Sequence, residues 1–409
     1  AGHVDQGLEV LREVLRELDL WMPSSPQLAL LSFLVRRAEL GVRGLEFREK
    51  TPEEVKKRDR LRIDTCWALT VGLNGVDMMR GADFAARSLL LSLRAGDPFR
   101  IGRALAFETT STAFVGTTNE ARADELAKSL LELADRLNDP HLLGFGHLVT
   151  GMCDAFTRGR WTSALEHYAK AEKVFRDECR GVSWEVDTTD MVTSWSLFYT
   201  GRLRELSARL PATLKAAEQR RDLYAQANLT TSHAWVMLAR GDIEAARAQP
   251  ALVMARWSSE DFHLQHYVAL LAETYVARYA SEGKEAYERI AAAFPALESS
   301  LLLRAQNNRI VAHYERGLSA VAAAATRREG KSHLLAVAKH DAHAVLSERA
   351  AWARPFADLV LAGAAAAGLT TTVVTFDRHP AQVLRPESAP LLLCDLDEAV
   401  AETVVRVLA

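Results

Sequence analysis

"RDLYAQANLTTSHAWVMLARGDIEAARAQP", residues 221–250, carries the pattern that decides the fold. Asp222 stands where a helix N-cap belongs, because a carboxylate there accepts amide hydrogens that the first turn leaves unpaired. Gly241 follows about one helix length later, in the place where a left-handed residue commonly ends a helix. A second amphipathic run then begins. The stretch therefore predicts one helix, a glycine turn and a second helix.

The same arrangement recurs on both sides. Helix starts are expected at Asp97 and Asp139, each followed by proline at the first helical position, and then at Gly181, Asp222, Asp261 and Ser299. Proline suits that place because it has no amide hydrogen to leave unpaired. The successive intervals are 42, 42, 41, 39 and 38 residues. Between them fall Gly159, Gly201, Gly241 and Gly283, at intervals of 42, 40 and 42. After each glycine comes a run with small or apolar residues at helical spacing, such as Ala164, Leu165, Ala169 and Ala171.

Two antiparallel helices cannot hide both of their apolar faces alone, whereas stacking on the next pair does so. The expected architecture is all-α: an α-solenoid of about eight or nine antiparallel helix pairs over residues 1–363. The repeat of about 40 residues exceeds the tetratricopeptide length and overlaps the HEAT and armadillo range. The turn chemistry, with Trp195, Phe198 and Tyr199 just before Gly201, favours the tetratricopeptide-like form. Upstream, "SSPQLALLSFLVRRAEL" and "DTCWALTVGLNGVDMMRGADFAARSLLLSL" read as longer, less regular pairs. Between them Thr51-Pro52-Glu53-Glu54 has the form of a capping box, so the charged run around it is expected to be a solvated helix end.

Bulk composition narrows the function classes. Hydrophobic residues make up 49% of the 409 and charged residues 25%, as in folded globular proteins. A net charge of −3 provides no field for nucleic acid or anionic membrane. Cys66, Cys153, Cys179 and Cys394 form no CxxC pair and suit buried thiols in a reducing cytoplasm. The longest weakly charged run, "LVLAGAAAAGLTTTVV", is too short and too rich in Ala, Gly and Thr to span a bilayer. The chain opens in mid-pattern on a finished amphipathic helix, so it reads as a segment of something longer.

Chemistry-bearing residues are few. His263 and His266, and likewise His340 and His343, are three apart on expected helices and could bring two imidazoles to a metal. No third ligand accompanies either pair, so packing roles are expected. Glu185, Asp187 and Asp190 lie near a helix start, where carboxylates complement the helix dipole. Trp184, Trp195, Trp235 and Trp257 recur near helix ends and are expected to pack between repeats. Gly330-Lys331-Ser332 lacks the upstream glycine of a phosphate loop, with Ala325 in its place. The sequence implies no cofactor and no metal. A partner groove, if formed, is expected on the concave face of the first helices. Asn228, Thr231, His266, Arg304 and Asn307 break the apolar pattern there, and either pair across repeats or contact a bound peptide.

Three segments carry a family likeness: "RIDTCWALTVGLNGVDMMRGADFAARSLLLSLRAGDPFRIGRALAFE", "GVSWEVDTTDMVTSWSLFYTGRLRELSARLP" and "DLYAQANLTTSHAWVMLARGDIEAARAQPALVMARWSSEDFHLQHYVALLAE". They resemble the C-terminal helical-repeat region of large bacterial serine/threonine protein kinases, over roughly residues 1–363. The resemblance implies a non-catalytic sensor or docking region, following a kinase domain and a P-loop ATPase module. Its partners would be a protein or peptide, or those parent domains, with no nucleic acid and no membrane. No HRD or DFG motif and no phosphate loop stands in this chain. Repeat sensors of ATPase-type transcriptional activators share the architecture.

Residues 364–409 read differently. "TTTVVTFDRHPAQVLRPESAPLLLCDLDE" resembles a strand and loop of the nucleotidyltransferase domain in bacterial riboflavin kinase/FAD synthetases, through Thr375, Phe376, Asp377, His379, Pro380 and Pro386. The HxGH-type phosphate motif of that family is missing. One strand cannot make a parallel nucleotide-binding sheet, so an appended, strand-containing tail is expected, with a synthetase fragment as the alternative.

Overall fold

A computed structural model describes residues 13–51, 53–73, 77–257, 262–326 and 329–368. Among them every regular element is a helix. After a helical stretch at 13–17 come α1 (Pro26–Arg43), α2 (Lys57–Leu73), α3 (Met78–Ala95), α4 (Pro98–Val115), α5 (Glu120–Leu137), α6 (Pro140–Arg158), α7 (Trp161–Glu178) and α8 (Ser183–Tyr199). Then follow α9 (Leu203–Gln219), α10 (Leu223–Asn228), α11 (Thr230–Ala239), α12 (Ile243–Met254), α13 (Leu264–Tyr279), α14 (Gly283–Ser299), α15 (Gln306–Thr326), α16 (Lys331–Ser347) and α17 (Arg354–Gly368). The strand expected in the tail lies outside the described residues, as does Cys394. α17 itself runs past residue 363 to Gly368.

The chain divides into two compact units, residues 1–157 with 163–190, and residues 158–162 with 191–409. Within the second, from α9 onward each helix packs on its neighbour in sequence, and α11 touches α13, α13 touches α15, and α15 touches α17. That connectivity is compatible with an α-solenoid. It also splits the helices into two kinds. α13 and α15 are buried around most of their circumference. α14 buries one stripe, Ala286, Ile290, Phe294 and Leu297, at spacings that fall on a single helix face.

Local chemistry explains the helix starts. Asp97, Asp139, Asp222 and Asp242 each accept an amide hydrogen three residues on, at 3.0, 2.9, 3.2 and 2.9 Å. Gly159, Gly201 and Gly241 adopt φ of +68°, +71° and +75°, where a side chain would strain the backbone.

Other expected positions differ. Gly283 is the first residue of α14, and the left-handed position before it is Ser281, at φ +61°. Glycine is required at 283 for closeness instead: a Cβ there would lie 2.6 Å from the carbonyl carbon of Ala322 on α15. Ser299 ends α14 rather than starting a helix, and α15 begins at Gln306 after a 3-10 turn at Leu302–Arg304. Asp261 lies outside the described residues, and α13 has His263 at its N-cap. At the charged run, the Thr51 amide does donate to Glu54 at 2.7 Å, but this closes a turn, and α2 starts only at Lys57.

Candidate functional site

The five residues expected to line a groove sit in different local settings. Asn228 closes α10 and is buried, and its Oδ1 accepts from Gln265 Nε2 on α13 at 3.2 Å. Thr231 is buried in α11. His266 Nδ1 accepts the His263 amide at 3.0 Å, which ties down the start of α13. Asn307 is buried in α15, with its Oδ1 unpartnered. Arg304 is exposed, outside the first helix of its pair, and its carbonyl accepts from Arg309 at 2.8 Å.

The first helices of the second unit also carry buried aromatic residues. Trp235 stacks on Phe198 with ring centroids 3.7 Å apart, and Tyr267, Tyr275 and Tyr314 are buried. Among them Arg278 of α13 pairs with Glu315 of α15 at 2.7 Å, both side chains 2% exposed. Burial pushes the Glu315 carboxyl up to about 7, against the opposing pull of Arg278. Trp161 stacks on Tyr199 at 4.5 Å and meets Trp352 edge-on at 5.6 Å. Gly159 makes room for that contact, since a Cβ there would stand 2.3 Å from the Cβ of Trp352.

A different face stays accessible in the first unit. Phe99, Arg103 and Phe107 recur every four residues along α4, and His141 and Phe145 repeat the spacing on α6. Trp67 of α2 meets Phe107 and Phe145 edge-on, at 5.7 and 5.8 Å. Trp184 of α8 stacks on Phe107 at 5.8 Å. The Arg103 guanidinium lies 4.9 Å from the Trp67 ring and 5.1 Å from the Phe99 ring. Asp64 holds Arg100 and Arg103 together, and His141 Nε2 sits 2.9 Å from Glu185 Oε1. Trp67, Phe99, His141 and Trp184 are half-buried, and the Trp184 indole nitrogen has no hydrogen-bond partner.

Trp184 and Trp235 thus pack between helices, as their placement in the sequence predicts. Trp257 does more: its indole donates to His263 Nδ1 at 3.1 Å. With both Nδ1 atoms engaged, His263 and His266 serve the start of α13, and His343 Nδ1 lies 2.6 Å from the Lys339 carbonyl. The acidic residues near the start of α8 separate, Glu185 to His141 and Asp190 to Arg176. Among the described residues no three His, Cys, Asp or Glu side chains gather as metal ligands. No described helix is long and apolar enough to cross a membrane.

Sequence reasoning singled out Trp184 but not its companions Trp67, Phe99, Arg103, Phe107 and Phe145. The available signal was the four-residue spacing on two successive first helices. No family model and no curated protein matches the chain.

Proposed function

We propose that the chain is a non-catalytic interaction or sensor region built of tetratricopeptide-like helix pairs, from a cytoplasmic bacterial signalling protein of the serine/threonine-kinase type. Its ligand is a protein or peptide. The observation that carries the reading is the row of half-buried rings Trp67, Phe99 and Trp184 on the first helices of the first unit, with the Arg103 guanidinium, 13% exposed, held against two of them. Tryptophan and arginine held in place by neighbours supply much of the binding energy at protein interfaces, because they lose little freedom on contact. The helix caps and glycine turns support the repeat form, and the free thiols of Cys66 and Cys179 suit a reducing compartment.

Selection of peptides from a displayed library against the whole chain tests the site. Peptides bound by the wild type should lose about tenfold or more in affinity with Arg103→Ala or Trp184→Ala, as for a hot-spot residue. Unchanged affinity with both would remove the site. Saturable binding of ATP or FMN in calorimetry would instead favour the synthetase-like alternative.

A further inference from the structure

We propose that α1 is a self-association surface, on which a second copy of this chain docks the same helix. The inner face of α1 is settled: Ala29 and Leu40 are buried, with Leu40 and Phe33 in the core shared by α3, α4 and α5. The opposite face is apolar as well. Leu28, Leu31, Val35, Ala38 and Val42 point outward at alternating spacings of three and four residues, with Leu34 beside them. Leu31 and Val35 are each 59% exposed and Val42 92%. Alternation of three and four is the seam of a helix that packs along another helix.

Charge decides what kind of partner fits. α1 has four charged side chains, and the chain itself engages all of them. Arg36 faces Asp83 at 3.5 Å, Arg37 grips Glu108 at 2.5 Å, and Glu39 pairs with Arg94. Arg43 donates to the carbonyls of Gly44, Glu46 and Leu93. The outer face therefore offers shape and apolar area without charge, and it suits a surface equally free of charge. A second α1 is such a surface, and a two-fold axis near Val35 would set seam against seam.

Area points the same way. The exposed side chains present roughly 500 Å² per copy, so two copies bury roughly 1,000 Å², the lower bound for a specific interface. Two heptads are short for an isolated coiled coil. Here the helix is already held by α3, so its ordering entropy is spent in folding and association need not supply it.

Sedimentation equilibrium of the whole chain tests this. A mass twice the 45.2 kDa of the chain is expected at micromolar concentrations. Leu31→Glu and Val35→Glu should each weaken the dimer at least about 100-fold, since like charges would face each other across the axis. Both should leave the chain folded by circular dichroism, because both side chains face solvent on the single chain, and any fall in melting temperature should vanish at concentrations where the wild type is itself monomeric. Should either variant misfold, Ala38→Leu decides by adding apolar volume to the seam: a tighter dimer supports the surface, and an unchanged one overturns it. A chain that stays monomeric to about 100 μM, as it would if this face served some other partner, overturns it too. So does a dimer indifferent to both glutamates.

Discussion

The first helices of the two units carry similar residues to opposite ends. In the first unit Arg103 lies between Trp67 and Phe99 where water still reaches the rings. In the second, Arg278 lies near Tyr275 and against Glu315, sealed from solvent. An arginine among aromatics stays near solvent in one setting and is a structural commitment in the other. The difference lies in solvent access, which sets whether removing the partner leaves a hydrated ion or a stranded one.

The largest effect should come from breaking the sealed pair. Arg278→Ala leaves the Glu315 carboxyl without its cation and should cost about 3–5 kcal/mol in urea unfolding. The double substitution Arg278→Met with Glu315→Leu should restore most of that. If the single change costs under about 1 kcal/mol, water reaches the pair and the contrast fails.

Next is Gly159→Val, which combines left-handed strain with a clash against Trp352, and should lower stability by about 2–3 kcal/mol in the same measurement.

The pH profile is comparable, on the order of 3 kcal/mol. Because the folded Glu315 carboxyl titrates at about 7, above its unfolded value of 4.5, its contribution is full below 4.5 and is lost as pH rises through about 7. Glu315→Gln should flatten that slope in melts taken across this range. Asp341 on α16 acts with the opposite sign. Burial alone would raise its carboxyl, but hydrogen bonds from Arg316 and His313 outweigh burial and hold it below the ordinary 3.8. Its contribution is present above 3.8 and is lost as pH falls through the lower folded value.

Smaller still is the local cap: Asp222→Ala should cost about 1 kcal/mol, read as a lowered melting temperature. The smallest is the exposed pair of Lys128 and Glu132 in the first unit, 3.7 Å apart with both side chains open to water. Lys128→Ala should change stability by less than about 0.5 kcal/mol. A larger loss would show that surface charge matters more in this unit than its solvation allows.

Features governed by a few neighbouring residues were legible in the sequence. Asp97, Asp139 and Asp222 mark helix starts because a cap is made within three residues of itself. Gly159, Gly201 and Gly241 mark turns because left-handed backbone is a local steric matter. The sequence determined, on its own, the helical class of the described residues and these caps and turns. Thr51 and Glu54 show the limit of local reading, since the Thr51 amide reaches the Glu54 carboxylate in a turn without a helix to cap. Gly283 shows it again, being glycine for the nearness of Ala322 and not for its own conformation.

Only tertiary structure decided which polar residues are sealed and which face water. Asn228 finds Gln265 and Arg278 finds Glu315, each 37 residues further along the chain. Trp352 reaches Gly159 across nearly two hundred. Trp67, Phe107, Phe145 and Trp184 assemble from four helices. A periodic pattern says which side of a helix is apolar, but burial depends on what the rest of the chain lays against that side, and such contacts have no fixed spacing in sequence.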